Sequence, residues 1–248
     1  MSDKPNHQFA GLLALSIALV LSALIAAGAI RQVKRAADTI TVTGSAKQPI
    51  RSDYVIWRGS VASQQPTLQE AYLEVTRFTD RVRSYLMSNQ VPDSTVIFRP
   101  LETRAIPETG DFGRRGPSAT GRIVAYNLRR SFEIRSSQVD RITGLAGQAS
   151  ELIEEGIVLE SSPLEYFYTR LADLRTEMLA QAAADALRRA QSIATSVGSK
   201  IGPVRSARMG VFQITARNST DVSDYGIYDT SSLEKDITAV VSVTFAVE

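Results

Sequence analysis

Between Asp53 and Tyr168 the apolar residues fall into six successive segments of period 2 or period 3.6, and no other property of the chain limits its fold as strongly. Val55, Trp57, Gly59 and Val61 share one face of a strand over Asp53–Ser63, which makes Trp57 a core residue beside a glycine that makes room for it. In the helix that follows, Thr67 and Glu70 form a capping box, and Leu68, Tyr72, Val75, Phe78, Val82 and Leu86 recur at helical spacing. Its charged residues Glu74, Arg77, Asp80, Arg81 and Arg83 read as a solvated face. Thr95–Leu101 is a strand, a Gly-, Pro- and Arg-rich loop follows, and Ile123–Arg135 alternates again through Val124, Tyr126, Leu128, Phe132 and Ile134. Arg130 falls on that apolar side, where an inward charge guarding an edge strand, or a local bulge, explains it better than an anion site. Ser137–Gly156 reads as a second helix, buried through Val139, Ile142, Leu145, Ala149 and Leu152, and Ile157–Tyr168 as a strand.

One strand precedes this series: Ile40 and Val42 alternate with threonines, and a turn is expected at Pro49. A third, longest helix follows it, with Leu171, Leu174, Met178, Ala182, Ala186, Ile193 and Val197 as its stripe and Gly198 as its stop. Then come a strand within Gly202–Asn218, a polar loop Ser219–Asp236, and alternation from Ile237 to Val247 that implies an ordered C-terminus. The whole is an α+β fold: a split βαββαβ core extended by an N-terminal strand, a long third helix and two C-terminal strands, its helices on a largely antiparallel sheet. No repeat recurs at fixed period, and one domain over 39–248 is expected.

Ahead of this body lies a tail, 1–8, and then Phe9–Ile30, 22 residues without a charge. As a helix that length spans a hydrocarbon core of roughly 30 Å, so 9–30 is expected to be a transmembrane anchor or uncleaved signal. Ala27-Gly28-Ala29 also fits a signal-peptidase site, which keeps a cleaved form open. Residues 31–38 form a short basic tether. Its Arg31, Lys34 and Arg35 outnumber Lys4 on the other side, and by the positive-inside rule alone they would hold the body in the cytoplasm.

Charge and composition remove several classes of function. The chain has 28 Lys and Arg against 26 Asp and Glu, but after residue 35 the count is 24 basic to 25 acidic, without the basic stripe a nucleic-acid binder needs. There is no cysteine and the single histidine is His7, so the body has no thiolate or imidazole for catalysis or metal binding. Three candidate sites were weighed on the remaining residues. Arg104, Arg114, Arg115 and Arg122 could meet phosphates or lipid headgroups; Asp221, Asp224, Asp229 and Asp236 could offer calcium ligands, without EF-hand spacing; Glu102 with a helix-borne Glu could form a hydrolase pair. Mobile solvated loops and chance acidic pairs account for all three, and no catalytic, cofactor-binding or metal-ligating residue is assigned.

ITVTGSA at Ile40–Ala46, then SDYVIWRGSVAS, QEAYLEVTRFTDRVRSYL and GRIVAYNLRRSFEIR, and finally LRTEMLAQAAADALRRAQSIATSVGSKIGPV at Leu174–Val204 stand in the order found in SIMPL-domain proteins. The resemblance covers about residues 38–248. It implies a bacterial envelope protein exported through an N-terminal signal or anchor, with oligomerising relatives, links to oxidative or envelope stress, and no established catalytic residue to carry over. On that basis the expected protein is non-enzymatic and single-pass in the inner membrane through residues 9–30, with its body in the periplasm, and works as a homo-oligomer or with an envelope partner. The basic flank and the Ser219–Asp236 loop stand apart from the resemblance.

Overall fold

The structure, a computed structural model, describes residues 11, 15–26, 38–109 and 119–248. From the N-terminus the strands and helices are β1 (Thr39–Arg51), β2 (Tyr54–Gln65), α1 (Leu68–Ser88), β3 (Val96–Phe98), β4 (Glu102–Thr109) and β5 (Ala119–Ser136). They continue as α2 (Val139–Gln148), α3 (Glu151–Glu154), β6 (Leu159–Ser161), β7 (Glu165–Phe167) and α4 (Leu171–Ser196). The last four are β8 (Ile201–Met209), β9 (Gln213–Ala216), β10 (Ile227–Tyr228) and β11 (Glu234–Val247). The fold is α+β, with two sheets and two compact units. One, the central unit, is made of residues 48–172 and 213–237; the other, the terminal unit, of 1–47, 173–212 and 238–248.

In the central unit β2 and β5 lie antiparallel at the middle of a six-stranded sheet, in register from Val55 opposite Ser136 to Gln65 opposite Tyr126. β3 and β4 pair with the outer side of β5, and β6 and β7 with that of β2. The alternation buries Val55, Trp57, Val61, Leu128, Phe132 and Ile134 against α1, α2 and α3. Thr67 starts α1 by accepting the Glu70 N–H at 3.2 Å, and Asn89 closes it by binding the Tyr85 carbonyl. Trp57 is 1% exposed, edge-on to Phe132. The space that Gly59 leaves is filled by Phe132 and not by Trp57: a Cβ there would lie 2.6 Å from the Phe132 ring.

Several expectations need correction. β1 runs straight through Pro49, because β1 is the outermost strand of its sheet, where a missing N–H interrupts no ladder. β5 is internal, so Arg130 guards no edge; the bulge described below lies beside it instead. The second helix breaks at Ala149, and Leu152 and Ile153 bond three residues back as the chain tightens into α3. Residues read as loop form β4. The single strand expected in Gly202–Asn218 is two, β8 and β9, and the polar loop holds β10, which pairs parallel with β9.

In the terminal unit α4 lies on β1 through Met178, Ala182, Ala186, Ala190 and Ala194. Ile193 and Val197, expected in that stripe, are exposed. The reason is close approach: a Cβ on Gly44 would lie 2.2 Å from the Ala182 carbonyl oxygen, so only small side chains fit beneath the helix. The Ser45 N–H donates to Asp185 at 3.0 Å. β8 pairs antiparallel with β11, and Glu248 and Lys200 exchange two main-chain hydrogen bonds of 2.8 Å, so the C-terminus is ordered as expected.

Of the apolar segment 9–30, the structure describes a continuous helix at 15–26, about 18 Å long at 1.5 Å per residue. Among the described residues no helix is long and apolar enough to cross a membrane. The tail 1–8, Ala27-Gly28-Ala29, the basic residues Arg31, Lys34 and Arg35, and Arg114 and Arg115 lie outside the described residues.

Candidate functional site

The outer face of the central sheet, turned away from the helices, carries Arg58 and Ser60 from β2 and Arg129, Ser131, Glu133 and Arg135 from β5. Two matching interruptions open a cleft of about 600 Å³ in this face. On the β5 side, Phe98 stands opposite Phe132 and Glu102 opposite Arg129, so the outer strand spends one residue more than β5. On the β2 side, Ser161 stands opposite Gly59 and Glu165 opposite Ile56, again one residue more. The bulges share a Pro-Leu-Glu: Arg99-Pro100-Leu101-Glu102 in one, Ser162-Pro163-Leu164-Glu165 in the other. Each is pinned in the same way, by the Arg99 N–H to the Ser131 carbonyl (2.8 Å) and the Ser162 N–H to the Arg58 carbonyl (2.9 Å). In both, the proline has no N–H to offer the ladder, the leucine packs against the core and the glutamate resumes pairing.

Glu133, 3% exposed, lies at the floor. Its carboxylate accepts from Arg135 Nε at 2.5 Å, Arg58 Nε at 3.0 Å and Arg99 Nη2 at 3.3 Å. The hydrogen bond from Arg135, then that from Arg58, outweigh burial and draw the carboxyl down to about 2. Arg129 grips Glu160 with both terminal nitrogens and donates to Ser60, and that grip lowers Glu160 as it raises Arg129. Arg58 also reaches Glu165. Held this far below neutrality, Glu133 keeps its negative charge at physiological pH, and the cleft presents guanidinium groups able to recognise an anion.

A second surface is the outer half of the β4–β5 ribbon. Tyr126 is the last β5 residue paired with β2, and before it β5 pairs with β4 alone. Ile123 (46% exposed) and Val124 (44%) are adjacent in the strand at the register shift opposite Ile106 and Pro107, where β5 carries one residue more than β4, so two exposed apolar side chains stand together on the arm.

Of the candidate site residues in the sequence, Arg114 and Arg115 lie outside the described residues. Arg104 stands opposite Asn127, and Arg122 lies beyond the register shift at Val124; both are exposed. Glu102 faces outward opposite Arg129 while the helices cover the other face, so it meets no helix-borne carboxylate. Asp221 accepts from the Ser219 hydroxyl and Asp236 from the Asn218 N–H, while Asp224 is exposed. Asp229 takes the Ser231 N–H and hydroxyl and faces Lys235 at 3.3 Å. These hydrogen bonds keep Asp229 below the usual carboxylate range against the opposing effect of burial. Among the described residues no group of three or more His, Cys, Asp or Glu is placed to hold a metal ion. Sequence reasoning missed Glu133 and the buried Lys235, whose ammonium donates to the Asp229 carbonyl at 2.6 Å. The signal for the cleft was present in the repeated Pro-Leu-Glu and in the Arg-Ser-Glu-Arg face of β5.

No curated protein matches the chain. A family model described as SIMPL, protein of unknown function (DUF541), matches residues 40–245, from the second residue of β1 to within two residues of the end of β11. With that match covering most of the chain, from β1 to β11, the chain belongs to the SIMPL family.

Proposed function

We propose that the protein is a non-enzymatic domain of the bacterial envelope, tethered to the inner membrane by residues 9–30 with its body in the periplasm, that acts in envelope or oxidative stress by self-association. The observation that carries the association is the exposed apolar patch of the arm: Ile123 and Val124 on β5, with Pro107 of β4 opposite Ile123, have no covering partner strand beyond the ribbon itself among the described residues. Exposed apolar side chains lose unfavourable hydration only when something encloses them, and a second copy offers an identical arm. Pro107 and the shifted register around it interrupt the β4 ladder, which favours face-to-face packing over edge pairing. The locked Glu133 supports a binding rather than a chemical role, and the uncharged 9–30 segment supports the tether.

Light scattering on the full-length protein in a neutral detergent tests the association. Assemblies larger than one chain are expected, and Ile123→Glu with Val124→Glu should return them to monomer. A wild-type monomer at high concentration, with no partner recovered by crosslinking, overturns the reading. The location is tested by protease digestion of intact cells and spheroplasts carrying a C-terminal tag: digestion in spheroplasts alone is expected, and protection until the inner membrane is lysed refutes a periplasmic body.

A further inference from the structure

The geometry points to a binding site for a small oxyanion, a carboxylate or phosphate group, in the cleft between the two bulges, with Arg99 as its principal partner. The inference rests on donors that the protein leaves unused. Arg58 spends Nε on Glu133 and Nη1 on Glu165, and Arg129 spends both terminal nitrogens on Glu160. Arg99 makes one side-chain contact, Nη2 to Glu133 at 3.3 Å, which leaves its Nε and Nη1 N–H groups without an acceptor among the described residues. Nε and Nη1 point to opposite sides of the planar guanidinium, so each can donate to an oxyanion oxygen, and Nη1 with the second hydrogen of Nη2 forms an edge that takes a bidentate oxyanion. The Ser131 hydroxyl, on the cleft wall beside it, likewise has no partner among the described residues.

Charge agrees with the donor count. Arg58, Arg99 and Arg129 line the cleft against Glu133 and Glu160, a surplus of one positive charge. Glu133 does not repel an incoming anion at full strength, since three guanidinium groups already hold it. Placement is fixed by the backbone: the bulge that carries Arg99 is pinned to Ser131, so the guanidinium stands at the rim rather than on a mobile loop. The equivalent position on the other rim is Ser162, which adds a hydroxyl and no competing carboxylate.

The chain has one tryptophan, and its indole N–H donates to Ser161, a residue of the cleft, at 2.9 Å. Trp57 emission is therefore a reporter. Full-length protein in a neutral detergent is titrated with sodium phosphate and with sodium succinate at constant ionic strength. A saturable change with either anion is expected, weakened at least tenfold in Arg99→Gln and about threefold in Ser131→Ala, with Arg81→Gln on α1 unaltered and all circular dichroism spectra superposable. A response to phosphate alone or succinate alone supports the site and assigns its oxyanion. Displacement of phosphate by phosphatidylglycerol vesicles, but not phosphatidylcholine vesicles, supports it and identifies a lipid headgroup as the source. No saturable change with either anion, or equal responses in wild type and both cleft variants, overturns the proposal.

Discussion

At Gly44 a single hydrogen separates strand backbone from helix backbone. An added methyl would lie 2.2 Å from the Ala182 oxygen and 2.4 Å from the Ala186 nitrogen, both main-chain atoms that cannot swing aside. Gly44→Ala should cost about 3 kcal/mol in urea denaturation, at the upper end for overpacking, and an unchanged midpoint would mean that α4 sits further from β1. Glu133 predicts a pH dependence. Its folded value, about 2, lies below the ordinary 4.5, so its stabilising contribution is complete above pH 4.5 and is lost as pH falls toward 2. Urea midpoints of wild type should fall across that window, and Glu133→Gln should flatten the fall while lowering the plateau at neutral pH by about 2 kcal/mol. Much at this scale was legible: alternation alone marks Trp57, Leu128, Phe132 and Ile134 as core. What Gly59 accommodates was not, because Phe132 lies on a strand 73 residues away. Nor was Glu133, since alternation assigns a charged residue to the outer face without saying that three arginines will bury it there.

Among the elements, the two Pro-Leu-Glu bulges are equivalent by pairing, pinning and packing. Leu101→Ala and Leu164→Ala should therefore destabilise by similar amounts, about 2 kcal/mol each at these partly buried positions. Urea melts in which one costs nothing would show that the likeness is only one of sequence. This internal duplication escapes a search for a fixed period because its parts are offset differently. Gly59 to Phe132 spans 73 residues, whereas Ser161 follows Phe98 by 63, the difference lying between strand and strand where α1 is longer than α2 and α3 together. β4 left no trace in the sequence for a related reason: with both faces of the ribbon exposed, nothing selects an alternating pattern. The α4 stripe was half legible. Its larger apolar residues were chosen where contact with β1 demanded the smallest, so Ala190 and Ala194 took the places expected of Ile193 and Val197.

Across the whole molecule, fold class could be read from the order of periodicities, whereas the division into two units could not. Neither unit is a continuous stretch, so the chain shows no linker and no change of composition where it passes from one to the other. β1 and β11 each belong partly to both: residues 39–47 and 238–247 to the terminal unit, 48–51 and 234–237 to the central one. β11 contributes to both units and follows every other described strand, so neither has its full complement of strands until β11 is in place. The pairing of residues near 40 with residues near 245 makes closing that sheet a slow, long-range step.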